Sequence, residues 1–239
     1  LAVIAVPVAL QNLLTTTGSM IDTMMIAPLG ENVVGAVGLC AQFSSLMFSS
    51  YWGFVGGGML FFSQYWGAKD EGGINRAYGT TMVCLVSVGV LFASAATFGP
   101  GLIMRVYTDK AVIQEIGTEY LSIMGISYLA TVFATGMSAL LRSTERVKIP
   151  LVAAICSVSS NVFLNWVFIY GKLGLPAMGV RGAALATSCA GLVNVGVILL
   201  LAKRVGYPYL FQLRFHFRWS LPWLKEYFVK CFPILCNEL

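Results

Sequence analysis

Charge is absent from long stretches of this sequence and crowded into the short segments between them, and that pattern leaves few folds open. An apolar run of about 20 residues matches the hydrocarbon core of a bilayer when it is helical. Only structures that satisfy every backbone polar group internally survive there. Six such runs can be drawn, at about 2–28, 33–66, 78–104, 120–141, 150–170 and 179–202, and a seventh begins near Leu221. Short segments of alternating polarity, the mark of a β-barrel, are missing. The chain is 58% hydrophobic and 10% charged, where a soluble domain carries about 25% charged residues. The expected fold class is therefore all-α: a polytopic membrane protein, a six-transmembrane-helix bundle plus the start of a seventh helix.

The second run exceeds one bilayer crossing and is expected to protrude or tilt. The connections are short, which points to a compact up-down bundle. Lysine and arginine set the orientation. One side carries Lys69, Arg76, Arg142, Arg146, Lys148, Lys203, Arg204, Arg214, Arg218 and Lys225. The other carries only Arg105, Lys110, Lys172 and Arg181. The richer side is expected to be cytoplasmic, with the N-terminus on it, in a multi-pass protein of the plasma or inner membrane. Since the cations flank the membrane, a nucleic-acid partner is not expected despite the net charge of +5. The six cysteines lie within apolar runs and read as small buried hydrophobes. The sequence starts at Leu1 without an initiator Met and stops at Leu239 inside an apolar run, so it reads as a fragment. No signal peptide is recognisable, for the first run lacks a basic n-region.

Asp22 is the one acid inside the first six runs. An ionised carboxylate in hydrocarbon is costly, so such a residue normally faces the bundle interior or a wet cavity and marks an ion or proton path. Its candidate partners are Asn161 and Asn165, spaced i,i+4 on one helix face, and Thr187 in the sixth run. At about 1.5 Å per residue, Asp22 lies roughly 9 Å below Pro28, Asn165 about 8 Å below Tyr170 and Thr187 about 12 Å below Gly179. All fall in the outer half of the bilayer. One carboxylate with amide and hydroxyl oxygens suits a small cation such as Na⁺, and the carboxylate alone suits a proton. These four residues form the candidate cation or proton site; no further metal and no cofactor is expected.

Gln11, Asn12, Thr15, Thr16 and Thr17 suggest that the first span lines a cavity, and Gln42 and Gln64 are weaker candidates for substrate contact or coupling. Met20, Met24, Met25 and Met47 and the aromatics of residues 43–54 read mostly as core or lipid contacts. In residues 207–220, Arg214, His216 and Arg218 alternate with aromatic residues, as in an interfacial connector. Gly56-Gly57-Gly58 is followed by no lysine and makes no phosphate loop, so any transport would be secondary.

The string Ser19-Met20-Ile21-Asp22-Thr23 resembles the first helix of the multidrug and toxic compound extrusion (MATE) family. Ser63-Gln64-Tyr65-Trp66-Gly67-Ala68 is similar to its second-helix exit, and Leu140-Leu141-Arg142-Ser143 with Pro150 to its fourth-to-fifth connection. Asn161 and Asn165 with Phe168-Ile169-Tyr170-Gly171 resemble its fifth helix, and Met178-Gly179-Val180 through Thr187 its sixth. Residues 233–238 (PILCNE) resemble the start of its seventh.

The resemblance implies one lobe of a twelve-helix transporter. Residues 1–203 would be the N-terminal six-helix lobe, 204–220 a cytoplasmic or interfacial connector, and 221–239 the start of a C-terminal lobe otherwise missing from this sequence. It implies export of cationic or amphiphilic drugs or metabolites in exchange for H⁺ or Na⁺, and maps the family's cation site onto Asp22, Asn161, Asn165 and Thr187. Many members have a second carboxylate where this chain has Asn165, which leaves the coupling ion open. Glu238 matches an acid of the seventh helix that takes part in some members.

Two other readings compete. A lipid-linked sugar flippase should present cations to a diphosphate, and the six spans as drawn contain no Arg or Lys beyond Arg181 at the start of the sixth. A membrane scaffold without transport activity would have no use for Asp22. Enzyme activity is not expected, as there is no nucleophile–base pair, HExxH or metal cluster.

Overall fold

The computed structural model of the protein describes residues 2–212 and 221–238, with side chains between residues 5 and 233 of these. Every long element is a helix. In chain order they are α1 (Ala2–Ile26), a 3₁₀ turn (Ala27–Leu29), α2 (Glu31–Gly67), α3 (Glu71–Phe98), α4 (Pro100–Tyr107), α5 (Ala111–Ser143), α6 (Lys148–Tyr170), α7 (Val180–Arg204) and α8 (Leu221–Glu238). Five of them, α2, α3, α5, α6 and α7, are long and apolar enough to cross a membrane. α1 has the length, at 25 residues, but is not among the five; polar residues from Gln11 to Asp22 recur along it. The chain is a multi-pass helical membrane protein.

Three expected boundaries shift, the first being the start of the third span, at Glu71 rather than Tyr78. The third span stops at Phe98 rather than near Met104, because Gly99 and Pro100 break the helix: Pro100 sits in the first turn of α4, where a missing N–H costs nothing. The fourth span begins at Ala111 rather than Tyr120. Its polar first turns, with Gln114, Glu115 and Glu119, are helical without being apolar.

The ends of the elements follow from local chemistry. Asp70 caps α3 by accepting a hydrogen bond from the Gly73 amide (2.9 Å). Gly171 closes α6 in the left-handed region at φ 65°, where a Cβ would also meet the Ala177 backbone. α2 is 37 residues long, about 55 Å, so it overruns a core of about 30 Å, as its sequence suggests.

α5 is the hub. It packs on α2, α3, α4 and α7, while α6 pairs with α7, α1 lies on α6, and α8 lies on α2. The most apolar stretch of α5 is 67% buried, against 22–28% in the other four spanning helices. Small residues at Gly117, Gly125, Ala130, Ala134, Gly136 and Ala139 let its neighbours come close. α8 docks where Gly57 leaves room for Cys231, and Tyr227 shares a hydrogen bond with Thr81 (2.8 Å). The indole of Trp223 donates to Thr80 (3.1 Å).

The stretch after α7 is held to the bundle. Tyr207 and Thr144 share a hydrogen bond (2.7 Å), and Asn75 Nδ2 donates to Gln212 (2.8 Å). Arg214, His216 and Arg218 lie outside the described residues. So does the side chain of Glu238, whose backbone ends α8.

Candidate functional site

The helical repeat places one file of residues from each of five helices around a cavity of about 560 Å³. Successive members of each file are three or four residues apart, the spacing of one helix face. α1 contributes Gln11, Thr15, Gly18 and Asp22; α5 contributes Ser127, Thr131, Thr135, Ser138 and Arg142. α6 adds Ser157 and Asn161, and α7 adds Thr187, Gly191 and Asn194. The α2 wall is apolar, with Phe48, Trp52, Val55 and Met59, the first two rings stacked at 4.7 Å. α1 rests on α6 and barely touches α2, so a gap is left between those two walls. Gly18 brings α1 close to α6: a Cβ there would be 3.2 Å from the Val158 methyls.

Asp22, Asn161, Asn165 and Thr187 come together at one end of this cavity. Asn165 is fully buried behind Asp22 and donates from Nδ2 to Asp22 Oδ1 (2.5 Å) and to Asn161 Oδ1 (3.2 Å). Asn161 Nδ2 donates in turn to Thr187 Oγ1 (3.5 Å), and the threonine hydroxyl donates to the Ala183 carbonyl (3.0 Å). The donors thus lead away from Asn165 in both directions, and its own Oδ1 is buried with no partner. Asp22 is half-buried and faces the cavity. Tyr120, which its sequence did not single out, is buried with its hydroxyl against Thr187. Across the same end, Arg181 pairs with Glu119, and the Tyr170 hydroxyl donates to the Met25 carbonyl (2.8 Å), tying α6 to the end of α1.

The set can hold a proton on Asp22 or a hard cation between the carboxylate and the amide and hydroxyl oxygens. The unpaired Asn165 carbonyl suits the second use, since a buried acceptor without a partner costs about 1–3 kcal/mol. Among the described residues no group of three or more His, Cys, Asp or Glu side chains could bind a metal. Any cation here relies on neutral oxygens and one acid.

Other candidates fall elsewhere. Gln42 and Gln64 are exposed and do not line the cavity; at about 100° per residue they sit well over 90° around α2 from the Phe48–Met59 file. Thr16 and Thr17 also turn away, whereas Gln11, Asn12 and Thr15 line it. Arg142 is the main correction. The fourth span was drawn to end one residue before it, but α5 runs to Ser143 and Arg142 lines the cavity. The expectation of a cavity without cations therefore fails.

Comparisons with known proteins agree in kind. The family model described as MatE matches residues 7–167. The multidrug resistance protein NorM of Burkholderia vietnamiensis is 27% identical over 186 residues, covering 77% of this chain and 40% of that protein. The probable multidrug resistance protein YoeA of Bacillus subtilis is 26% identical over 210 residues, covering 87% and 45%. A crystal structure of MATE in the bent conformation shares the fold, with a TM-score of 0.84 at 22% identity over 99% of this chain and 52% of that one. The chain thus spans less than half the length of these two curated relatives.

Proposed function

The chain belongs to the MatE family, and from that premise we propose that it is the N-terminal half of a secondary transporter that exports cationic amphiphiles in exchange for H⁺ or Na⁺. Asp22 is the shared binding group. The observation that carries this reading is a single carboxylate at the end of a polar cavity, held by one amide and otherwise open to what enters. In the ionised form it attracts a cationic substrate. Neutralised by a proton or a sodium ion, it loses that attraction and releases the substrate.

Exchange requires that the two ligands favour different arrangements of the helices, since equal affinity for both states shifts nothing. The geometry offers a lever for such a difference. Asn165 donates to the carboxylate, and a protonated Asp22 would instead present an O–H toward the unpaired Asn165 carbonyl after the amide turns over. The Asn165–Asn161–Thr187 chain then rearranges and carries the change from α1 into α6 and α7. With the remaining half of the transporter opposite, access would alternate between the two faces of the membrane as the halves rock.

The test is Asp22→Asn in the full-length protein, reconstituted in vesicles under an imposed pH or Na⁺ gradient. Gradient-driven dye efflux is expected to vanish, with insertion and folding retained. Efflux equal to that of the unmutated protein would end the proposal. The flippase alternative needs several cations to meet a diphosphate, and this cavity supplies one guanidinium.

A further inference from the structure

Among the described residues, Asp22 and Arg142 are the only charged ones lining the cavity, and they stand at opposite ends of it. Asp22 is level with Asn165 through their hydrogen bond. Arg142 is level with the start of α6, because the turn after α5 closes through Arg146 N to Leu141 O and Ile149 N to Arg146 O. From Ile149 to Asn165 the rise is roughly 24 Å. No compact molecule touches both charges at once.

Among the described residues, Arg142 is the cation that lines the cavity, and like Arg76 it has a buried Nε without a hydrogen-bond partner. Neither of the two ion pairs among the described residues includes Arg142. Ser138, one turn earlier on α5, also faces the cavity, and so does Gln11 from α1. An arginine guanidinium offers its two terminal Nη groups as an end-on fork that binds a carboxylate or phosphate through two parallel hydrogen bonds, stronger than neutral ones.

We propose that the inner end of the cavity is an oxyanion subsite built on Arg142, with Ser138 and Gln11 as supporting donors. It admits amphiphiles bearing a carboxylate, which the Asp22 end alone would repel. The cavity then holds two charge-selective stations rather than one. This rests on the cavity being the substrate chamber, but not on what Asp22 binds.

A matched pair of probes separates the two: rhodamine B, which carries a carboxylate beside its cationic ring system, and its ethyl ester, which is a cation only. Binding is read by fluorescence polarisation on the purified full-length protein in detergent. Arg142→Gln is expected to weaken rhodamine B about tenfold, the scale of one charge-assisted pair, and to leave the ester unchanged. Asp22→Asn is expected to weaken the ester. Retained ester binding shows that the Arg142 variant is folded. Should that variant not fold, the unmutated protein still decides: benzoate is expected to displace rhodamine B and not the ester. Equal effects of Arg142→Gln or of benzoate on both probes would overturn the subsite. Loss of the discrimination when phosphatidylglycerol is added would assign Arg142 to a lipid phosphate and overturn the substrate assignment. Binding of rhodamine B without the ester would retire the cation reading and leave the oxyanion subsite standing.

Discussion

Asn165 contributes an amide at the Asp22 end of the cavity, where a carboxylate would add a second charge. As an amide it donates to Asp22 and leaves one negative charge at the site. A second carboxylate in its place would set two acids within hydrogen-bond distance, where like charges force a shared proton or a bound cation. Asn165→Asp is therefore expected to raise Na⁺ affinity at least tenfold. The check is the Na⁺ concentration that half-maximally raises the melting temperature of the purified full-length protein. An unchanged Na⁺ response would mean that residue 165 does not set the charge. The four residues of this cluster were legible in the sequence because each is polar at matching depth in an otherwise apolar helix. Tyr120 was not, since a tyrosine near a helix end reads equally well as an interfacial anchor. Arg142 was missed for a related reason. A boundary drawn where apolarity ends leaves out the last turn of a helix, and that is where a guanidinium can reach back into the interior.

Along the elements, the sequence announces spans through apolar runs but not where helices begin, since helix and hydrocarbon need not end together. α5 shows this at both ends, starting in a polar segment at Ala111 and finishing on Arg142 and Ser143. The Phe98-Gly99-Pro100-Gly101 break was visible as a turn signal, yet the apolar residues on both sides joined it into one run. The cavity files were legible in principle. Ser127, Thr131, Thr135 and Ser138 repeat at a spacing of three to four, but each hydroxyl alone looks like ordinary packing in a membrane helix. Small residues on the contact faces bear on stability more directly. A Cβ at Gly182 would stand 2.7 Å from the carbonyl carbon and oxygen of Phe168, which are backbone atoms with little freedom to move. Gly182→Ala must therefore push α7 away from α6. The expected cost is about 1–3 kcal/mol, seen as a lower melting temperature. Gly196 on the same helix has nothing within 4 Å of its would-be Cβ, so Gly196→Ala is expected to be neutral or slightly stabilising. Equal effects at the two positions would show that the α6–α7 contact is not the tight one.

For the whole molecule, orientation turns a set of helices into a vectorial device. We propose from the ten-to-four distribution of Lys and Arg that the turn between α5 and α6 is cytoplasmic and the turn between α6 and α7 outside. Asp22 then sits at the outer end of the cavity and Arg142 at the inner end. On these proposals an incoming proton or sodium ion would meet the carboxylate from outside, and a carboxylate-bearing substrate would meet the guanidinium from within. Both proposals share this polarity, so it merits its own test. Glu145 and Leu173 are exposed in the two opposite turns. In a full-length protein freed of its native cysteines, Leu173→Cys is expected to react with a membrane-impermeant maleimide on intact cells. Glu145→Cys is expected to react only after the membrane is opened. The reverse pattern would put Asp22 at the cytoplasmic end, and neutralising it from outside could then no longer drive release outward.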